Sequence, residues 1–301
     1  MTLRSAFAGW EHWWTEPIPP HALAIVRIVT GAAIFLWAAS HAPHLRLLFS
    51  ADGVTIPFYA DRVAPPWNSL LMPAPFWGTV ALFVALLAGA ACMAIGWHMR
   101  LSIATVIVSG LYFWQIYLHV FPATFHRLLI FVLIVLLCSG ADRTLSLRMK
   151  SERGSWTAWE PVCALPQRLL MVQVCLTYLG SGWQKLGLTD WKTGEILAYS
   201  LLSDWGTPLA RSFVRLNLPM AFYDAVVRSV LFFEFVLPFG LVWRPTQKWF
   251  FVLGITFHVL VLLLLSIWSF LVFLVPLYIT LLPPEEVRKW RFPLRQPPDR
   301  Q

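Results

Sequence analysis

Charge is what this sequence has least of. Asp, Glu, Lys and Arg make up 13% of its 301 residues, about half of what a soluble domain carries. That leaves too little polar surface to cover a water-soluble core of this length, which excludes a soluble globular enzyme. Cysteine is scarce too. Cys92, Cys138, Cys163 and Cys175 form no ligand motif, and three of them lie in or beside apolar runs, where they read as small buried hydrophobes. No Ser/Gly-rich linker or long polar block interrupts the chain, so one domain over residues 1–301 is expected, with a core at 20–282 and a short tail at 283–301. No internal repeat or low-complexity tract is present. A net charge of +8 comes without any zinc-finger or Gly-rich pattern, so no nucleic-acid partner is expected. The basic residues read as topology signals beside anionic lipid headgroups. The opening Met1 to Trp14 lacks an early apolar run, and the first long run is not followed by a small-residue cleavage motif. Ala22–Ser40 is therefore expected as a retained helix.

What the chain has in quantity is apolar length. Hydrophobic residues make up 58% and mean hydropathy is +0.66. Runs long enough to cross about 30 Å of hydrocarbon lie at Ala22–Ser40, Phe76–Gly96, Ser102–Leu118, Thr124–Ser139, Leu165–Gly187 and Ala221–Trp243. Trp249–Leu282 is too long for one crossing and divides at Ser266-Ile267-Trp268-Ser269. An all-α, polytopic transmembrane bundle of eight spans is expected, with seven as the alternative count. With the N-terminus inside, Arg4, Arg100, Arg143, Arg148, Lys150, Arg153, Arg244, Lys248, Arg288, Lys289, Arg291, Arg295 and Arg300 fall on the inner side. Arg46, Arg62, Lys185, Lys192, Arg211 and Arg215 fall on the outer side. Thirteen against six favours both termini in the cytoplasm, which requires an even count of spans. Two outer segments are more than turns: His41–Pro75, a mixed loop with a short interfacial helix, and Leu188–Met220, which could partly cover the outer mouth.

Within this apolar frame one run stands out. Gln173, Thr177, Ser181 and Lys185 recur at four-residue steps, and each step drifts only about 40° on a helix, so the four share one polar stripe. Lipid disfavours such a stripe, a lysine at midplane costing about 3 kcal/mol, so it is expected to face protein or water. Arg27, His119, His126, Glu234 and His258 also lie at or near membrane depth. His119 and His126 flank the Phe121-Pro122-Ala123 turn, with Thr124 able to cap the next helix. A desolvated Lys185 could serve as a general base, or it could snorkel to the outer headgroups. An imidazole nearby could donate to a developing oxyanion or relay a proton. Glu234 is expected to face the bundle, with Arg27, Arg228 or His258 within hydrogen-bond reach. Trp183 and Trp191 suit either an aromatic belt or a binding surface. No H-x-x-x-H or E-x-x-H signature is present, so no metal is expected. An apolar cleft with a few inward polar groups suits a quinone.

The run Gln173-Val174-Cys175-Leu176-Thr177-Tyr178-Leu179-Gly180-Ser181-Gly182-Trp183-Gln184-Lys185-Leu186, followed by Asp190-Trp191-Lys192-Thr193-Gly194, resembles the HTTM family. This is the membrane domain shared by vitamin K-dependent gamma-glutamyl carboxylase and shorter bacterial proteins. Phe125-His126-Arg127-Leu128 resembles the carboxylase segment bearing a conserved histidine, and Glu234-Phe235-Val236-Leu237-Pro238-Phe239 its later glutamate helix. His258 occupies the following histidine helix, and Leu48-Phe49-Ser50-Ala51-Asp52-Gly53-Val54 looks like the first outer loop.

The resemblance implies a base role for Lys185 and an assisting role for His126. It further implies a site facing outward from a bacterial inner membrane, and a reduced quinone (menaquinol or a vitamin K hydroquinone-like molecule) as cofactor. His119, Trp183, Trp191, Glu234, His258 and Arg27 are the candidate binding residues around it. Only residues 283–301 follow the last run and nothing resembles a peptide-docking sheet. A small or lipidic substrate is therefore expected rather than a protein glutamate. Two other functions share the same fold: a non-enzymatic membrane partner serving an exported peptide or toxin system, and a small-solute transporter. No half-repeat or broken-helix pair supports the transporter.

Overall fold

Proline and glycine decide where the long helices begin and end. The computed structural model describes residues 3–54, 73–117 and 125–290. They fall into two units, Met1–Gln167 with Pro283–Gln301, and Arg168–Leu282.

The first unit carries α1 (Leu3–Thr15), α2 (His21–His41), α3 (Leu45–Phe49), α4 (Phe76–Ile95), α5 (Met99–Tyr117), α6 (Phe125–Leu137) and α7 (Leu147–Arg153). Pro20 and Pro75 stand at the starts of α2 and α4, where the N–H that proline lacks would have had no partner in the helix. Gly96 closes α4 in the left-handed region at φ 71°. There the Trp97 N–H donates to the Cys92 carbonyl at 2.9 Å and the Gly96 N–H to Met93 at 3.1 Å. α2 and α4 touch through small residues, since a Cβ on Gly31 would lie 2.9 Å from the Ala94 nitrogen and 3.0 Å from the Ala90 oxygen. Tyr112 joins α3 to α5 by donating to the Phe49 carbonyl at 2.5 Å, and Thr79 of α4 stands 3.1 Å from the same hydroxyl. Two short strands, β1 (Pro17–Ile18) and β2 (Val162–Cys163), pair antiparallel in the register Pro17↔Cys163, Ile18↔Val162. Ser146 caps α7 by accepting from the Met149 N–H at 3.1 Å.

The second unit takes up most of α8 (Leu165–Gly187), then α9 (Glu195–Leu202), α10 (Pro208–Val214), α11 (Met220–Val242), α12 (Arg244–Leu265) and α13 (Ser269–Phe273). A 3-10 turn, Val275–Leu281, ends it. α11 and α12 form a hairpin in which Gly240 lies against the Phe250 ring; a Cβ on that glycine would fall 2.2 Å from the ring. Gln247 locks the hairpin by donating to Leu241 at 2.8 Å and to Leu281 at 2.9 Å. The chain then returns to the first unit, where α14 (Pro284–Arg288) packs against α2.

Among the described residues five helical runs are long and apolar enough to cross a membrane: His21–Phe49, Phe76–Ile95, Met99–Tyr117, Met220–Val242 and Arg244–Leu265. They coincide with five of the expected runs. Phe125–Leu137 and Ser269–Leu281 are apolar but shorter. α8 has 23 residues, about 35 Å at 1.5 Å per residue; its polar stripe, not its length, sets it apart from those five. The break expected at Ser266 is there, with Ser266 at φ 55°. Beyond that break the chain departs from the single short helix expected. Pro276 has no N–H to extend a helix, so the segment is α13 and then the 3-10 turn. The His41–Pro75 segment contains the expected short helix as α3, while residues 55–72 lie outside the described residues.

Candidate functional site

The polar stripe of α8 leads to a buried ion pair. Gln173 and Thr177 bond to each other, Nε2 donating to Oγ1 at 3.1 Å, and Thr177 also donates to the Gln173 carbonyl at 2.8 Å. One turn further on, the stripe meets α11. The Ser181 hydroxyl donates to Glu234 Oε1 at 3.3 Å, and the Lys185 ammonium donates to the same oxygen. Lys185 and Glu234 are 18% and 5% exposed, so the carboxylate is the deeper member. The second carboxylate oxygen, Oε2, is buried and has no hydrogen-bond partner among the described residues.

Two close contacts hold the pair in place. Gly182 lets the Phe235 ring of α11 come so near α8 that a Cβ would stand 3.0 Å from it. This brings residues one turn either side into reach. The loop after α8 folds back so that the Lys185 ammonium lies 4.4 Å from the centre of the Trp191 ring, a cation–π contact. That loop is tied to α11 by the Gly194 N–H, which donates to Asp224 Oδ1 at 2.5 Å. A side chain on Gly194 would collide with the backbone of Tyr223 and Asp224.

The expectation that Glu234 pairs with Arg27, Arg228 or His258 is corrected here. Its partners are Lys185 and Ser181. Arg228 is exposed, six residues back on α11 and so about 240° round the helix. His258 belongs to a second polar cluster of the same unit. Its Nε2 lies 2.5 Å from the Tyr178 hydroxyl, which also bonds the hydroxyl of Tyr278. The Nδ1 of His258 is buried with no hydrogen-bond partner among the described residues. Sequence reasoning passed over both tyrosines. Tyr178 precedes Lys185 by seven residues, two helical turns, and so lies on the stripe side of α8; that spacing was the available signal. Tyr278 sits in a 3-10 turn and gave none.

The other expected residues have surroundings of their own. Trp183 is 73% exposed, about 200° round α8 from Lys185, and so does not join it. Arg27, in the first unit, is fully buried with its donors aimed at backbone. Nη1 donates to Met93 and Ala94 at 2.7 Å each, Nη2 to Leu145 at 2.7 Å and Nε to Ala141 at 3.2 Å. It satisfies the terminal carbonyls of α4 and ties them to the 141–145 turn, which accounts for its charge without a ligand. His126, in the first turn of α6, is buried among rings, with centroids at 4.0 Å to Phe125, 6.1 Å to Trp114 and 6.1 Å to Tyr117. His119 lies outside the described residues.

The stripe, the ion pair and the tyrosine–histidine cluster all fall inside residues 15–284, the stretch matched by the model of the HTTM domain. The chain belongs to the HTTM family. Among the described residues of this HTTM protein, the match takes in all five helices long and apolar enough to cross a membrane, together with α8. No curated protein and no solved structure matches the chain.

Proposed function

We propose that this HTTM protein binds a quinol or a hydroxyl-bearing lipid in an outward-facing pocket and deprotonates it at the Lys185–Glu234 centre. The supporting observation is the buried pair itself, a carboxylate with one oxygen bonded twice and the other free of any partner among the described residues. A buried acceptor without a donor costs about 1–3 kcal/mol, and a ligand hydroxyl is a donor that would remove that cost. Trp191 offers an aromatic face beside it. A reduced quinone therefore fits the residues present, with Glu234 and Lys185 holding its hydroxyl and Trp191 its ring; when bound it would supply an oxidisable, acidic hydroxyl. The resemblance to the carboxylase gives Lys185 the base role and His126 an assisting one. Eight spans in a bacterial cytoplasmic membrane, with both termini inside, put Lys185 toward the outer half. α8, Phe125–Leu137 and Ser269–Leu281 would complete the count.

A second reading is a non-enzymatic partner in the membrane. One observation favours it: the Lys185 ammonium already has an internal carboxylate and an indole, a complete structural use of its charge.

Binding and turnover of a reduced quinone by the protein in lipid nanodiscs separate the two, with Lys185→Ala as comparison. The experiment runs from about pH 7 to about pH 10, towards the range where lysine amines titrate. The enzyme reading predicts binding by both proteins and turnover by the native one only. A native protein that neither binds nor oxidises the quinol anywhere in that range leaves the partner reading.

A further inference from the structure

α1 is built unlike the long helices that follow it. Its 13 residues reach about 20 Å, too short to cross a bilayer. At about 100° per residue, Phe7, Trp10, Trp13 and Trp14 fall within an arc of roughly 120°, and Ala8, Glu11, His12 and Thr15 fall on the other side. The four rings form a continuous row. Their centroids are 5.8 Å apart for Phe7 and Trp10, 6.1 Å for Trp10 and Trp14, and 4.7 Å for Trp13 and Trp14. Phe7 is 63% exposed, Trp10 58% and Trp13 41%. Among the described residues no other helix packs along α1. A contiguous exposed row of large rings marks an interaction surface.

The root of α1 points to what covers it. α2 has 21 residues, about 31 Å of helix, which matches the roughly 30 Å of a bilayer's hydrocarbon and sets His21 at its edge. Arg27, near that end of α2, bonds the Met93 and Ala94 carbonyls at the end of α4 and the carbonyls of the 141–145 turn, so all of these share one level. Only Glu16–Pro20 separates α1 from α2, and three of those residues are proline. Five residues span at most about 18 Å. They span it under restraint, because Ile18 pairs with Val162 and the Ala164 N–H donates to the Glu16 carbonyl at 3.0 Å.

We propose that α1 lies flat on the bilayer that its own unit crosses, with Phe7, Trp10, Trp13 and Trp14 seated at the boundary of headgroups and acyl chains. Glu11, His12 and Thr15 then face water. Tryptophan suits that boundary, since its ring body is apolar and its N–H needs a polar neighbour. A helix of this kind sinks about 5–10 Å below the headgroup surface. A second copy of the chain fits the face less well. The row measures about 20 Å by 10 Å, roughly a quarter of the 800 Å² that each partner of a standard interface buries. With both termini inside, the leaflet is the cytoplasmic one. Seated there, α1 holds β1, and with it the entry of α2, at a fixed depth. The surface is separate from the chemistry proposed for Lys185 and Glu234 and stands or falls without it.

The test uses the full chain in lipid nanodiscs, in a background lacking Cys92, Cys138, Cys163 and Cys175. A nitroxide is placed singly at Phe7→Cys, Trp10→Cys, Ala8→Cys or His12→Cys. Its collisions with oxygen, which dissolves in lipid, are compared with those with a water-soluble nickel chelate. The first two labels should favour oxygen by about tenfold more than the last two, the contrast between a seat about 5–10 Å deep and water. Equal access of the chelate to all four lifts α1 off the bilayer and overturns the proposal. Shielding of the first two from both reagents assigns the face to protein, a second copy where labelled copies broaden one another's spectra, and overturns it as well. Because Phe7→Cys and Trp10→Cys each remove a ring, the native protein is read separately. In bilayers of phosphatidylcholine carrying a diazirine near the top of one acyl chain, illumination should leave adducts on the Phe7–Trp14 stretch. Adducts on α2 with none on α1 would contradict the seat without recourse to any variant.

Discussion

Tyr178 and His258 meet inside the second unit, the hydroxyl of one 2.5 Å from Nε2 of the other and eighty residues away in sequence. Tyr278 joins the same hydroxyl, so one phenol serves two partners from two other segments. Buried hydroxyls and imidazoles in an apolar setting hold elements together only while each finds a partner. Removing one should therefore be felt by the other. Tyr178→Phe and His258→Phe are each expected to cost about 1–2 kcal/mol. The double variant should show a coupling of about 1 kcal/mol, read from unfolding in mild detergent. Strict additivity would mean that the bond contributes nothing.

The two members of the ion pair should not be equally expensive to lose. Lys185→Met strands a carboxylate 5% exposed, while Glu234→Leu strands an ammonium 18% exposed that still has the Trp191 face. The first is expected to cost about 3–5 kcal/mol, the range for a buried charge left alone, and the second less. Lys185→Met/Glu234→Leu should recover most of that loss, since two apolar side chains replace the pair. Equal losses from the two single variants would contradict the depths assigned to them.

Arg27 and Gly96 form another unit of prediction. A Cβ on Gly96 would lie 2.7 Å from Arg27 Nη1 and 2.5 Å from the Ser146 side chain, at a φ of 71°. Gly96→Ala should destabilise by about 1–3 kcal/mol, from the left-handed backbone and the displaced guanidinium together. Arg27→Met removes the guanidinium from four carbonyls, of which Met93 keeps the Gly96 N–H, and should cost more, about 3 kcal/mol or above. Arg27→Lys, which cannot reach all four, should fall between native and Arg27→Met. Folded yield and thermal unfolding in detergent give the ranking; an Arg27→Met variant as stable as the native protein would show that the clamp contributes nothing to the fold.

Topology can be read by single cysteines in a background lacking Cys92, Cys138, Cys163 and Cys175, of which Cys138 and Cys163 are exposed. Ser151 on α7 and Ser212 on α10 are both exposed. With eight spans and cytoplasmic termini, a membrane-impermeant maleimide should label Ser212→Cys in intact cells and Ser151→Cys only after permeabilisation. Labelling of both from one side contradicts that orientation.

The amino-acid sequence alone determined the membrane class, the family and the approximate extent of the long apolar helices, but not the short helices α1, α7, α9, α10 and α14, which carry no long apolar run. Scarce charge leaves no polar surface for water, and prolines 20, 75, 219 and 276 with Gly96 punctuate the apolar runs locally. It also determined that Gln173, Thr177, Ser181 and Lys185 share a face, because a helix converts spacing into direction without outside help. Only the tertiary structure decided whom that face meets. Lys185 finds Glu234 across 49 residues, and Arg27 reaches the Leu145 carbonyl across 118. Close contacts accompany those pairings, at Gly182 with the Phe235 ring and at Gly31 with the Ala90 and Ala94 backbone. Periodicity says which way a side chain points along its own helix, but not which helix stands opposite. Glu234, for which the sequence offered Arg27, Arg228 or His258, therefore acquired its actual partner only when α8 and α11 packed.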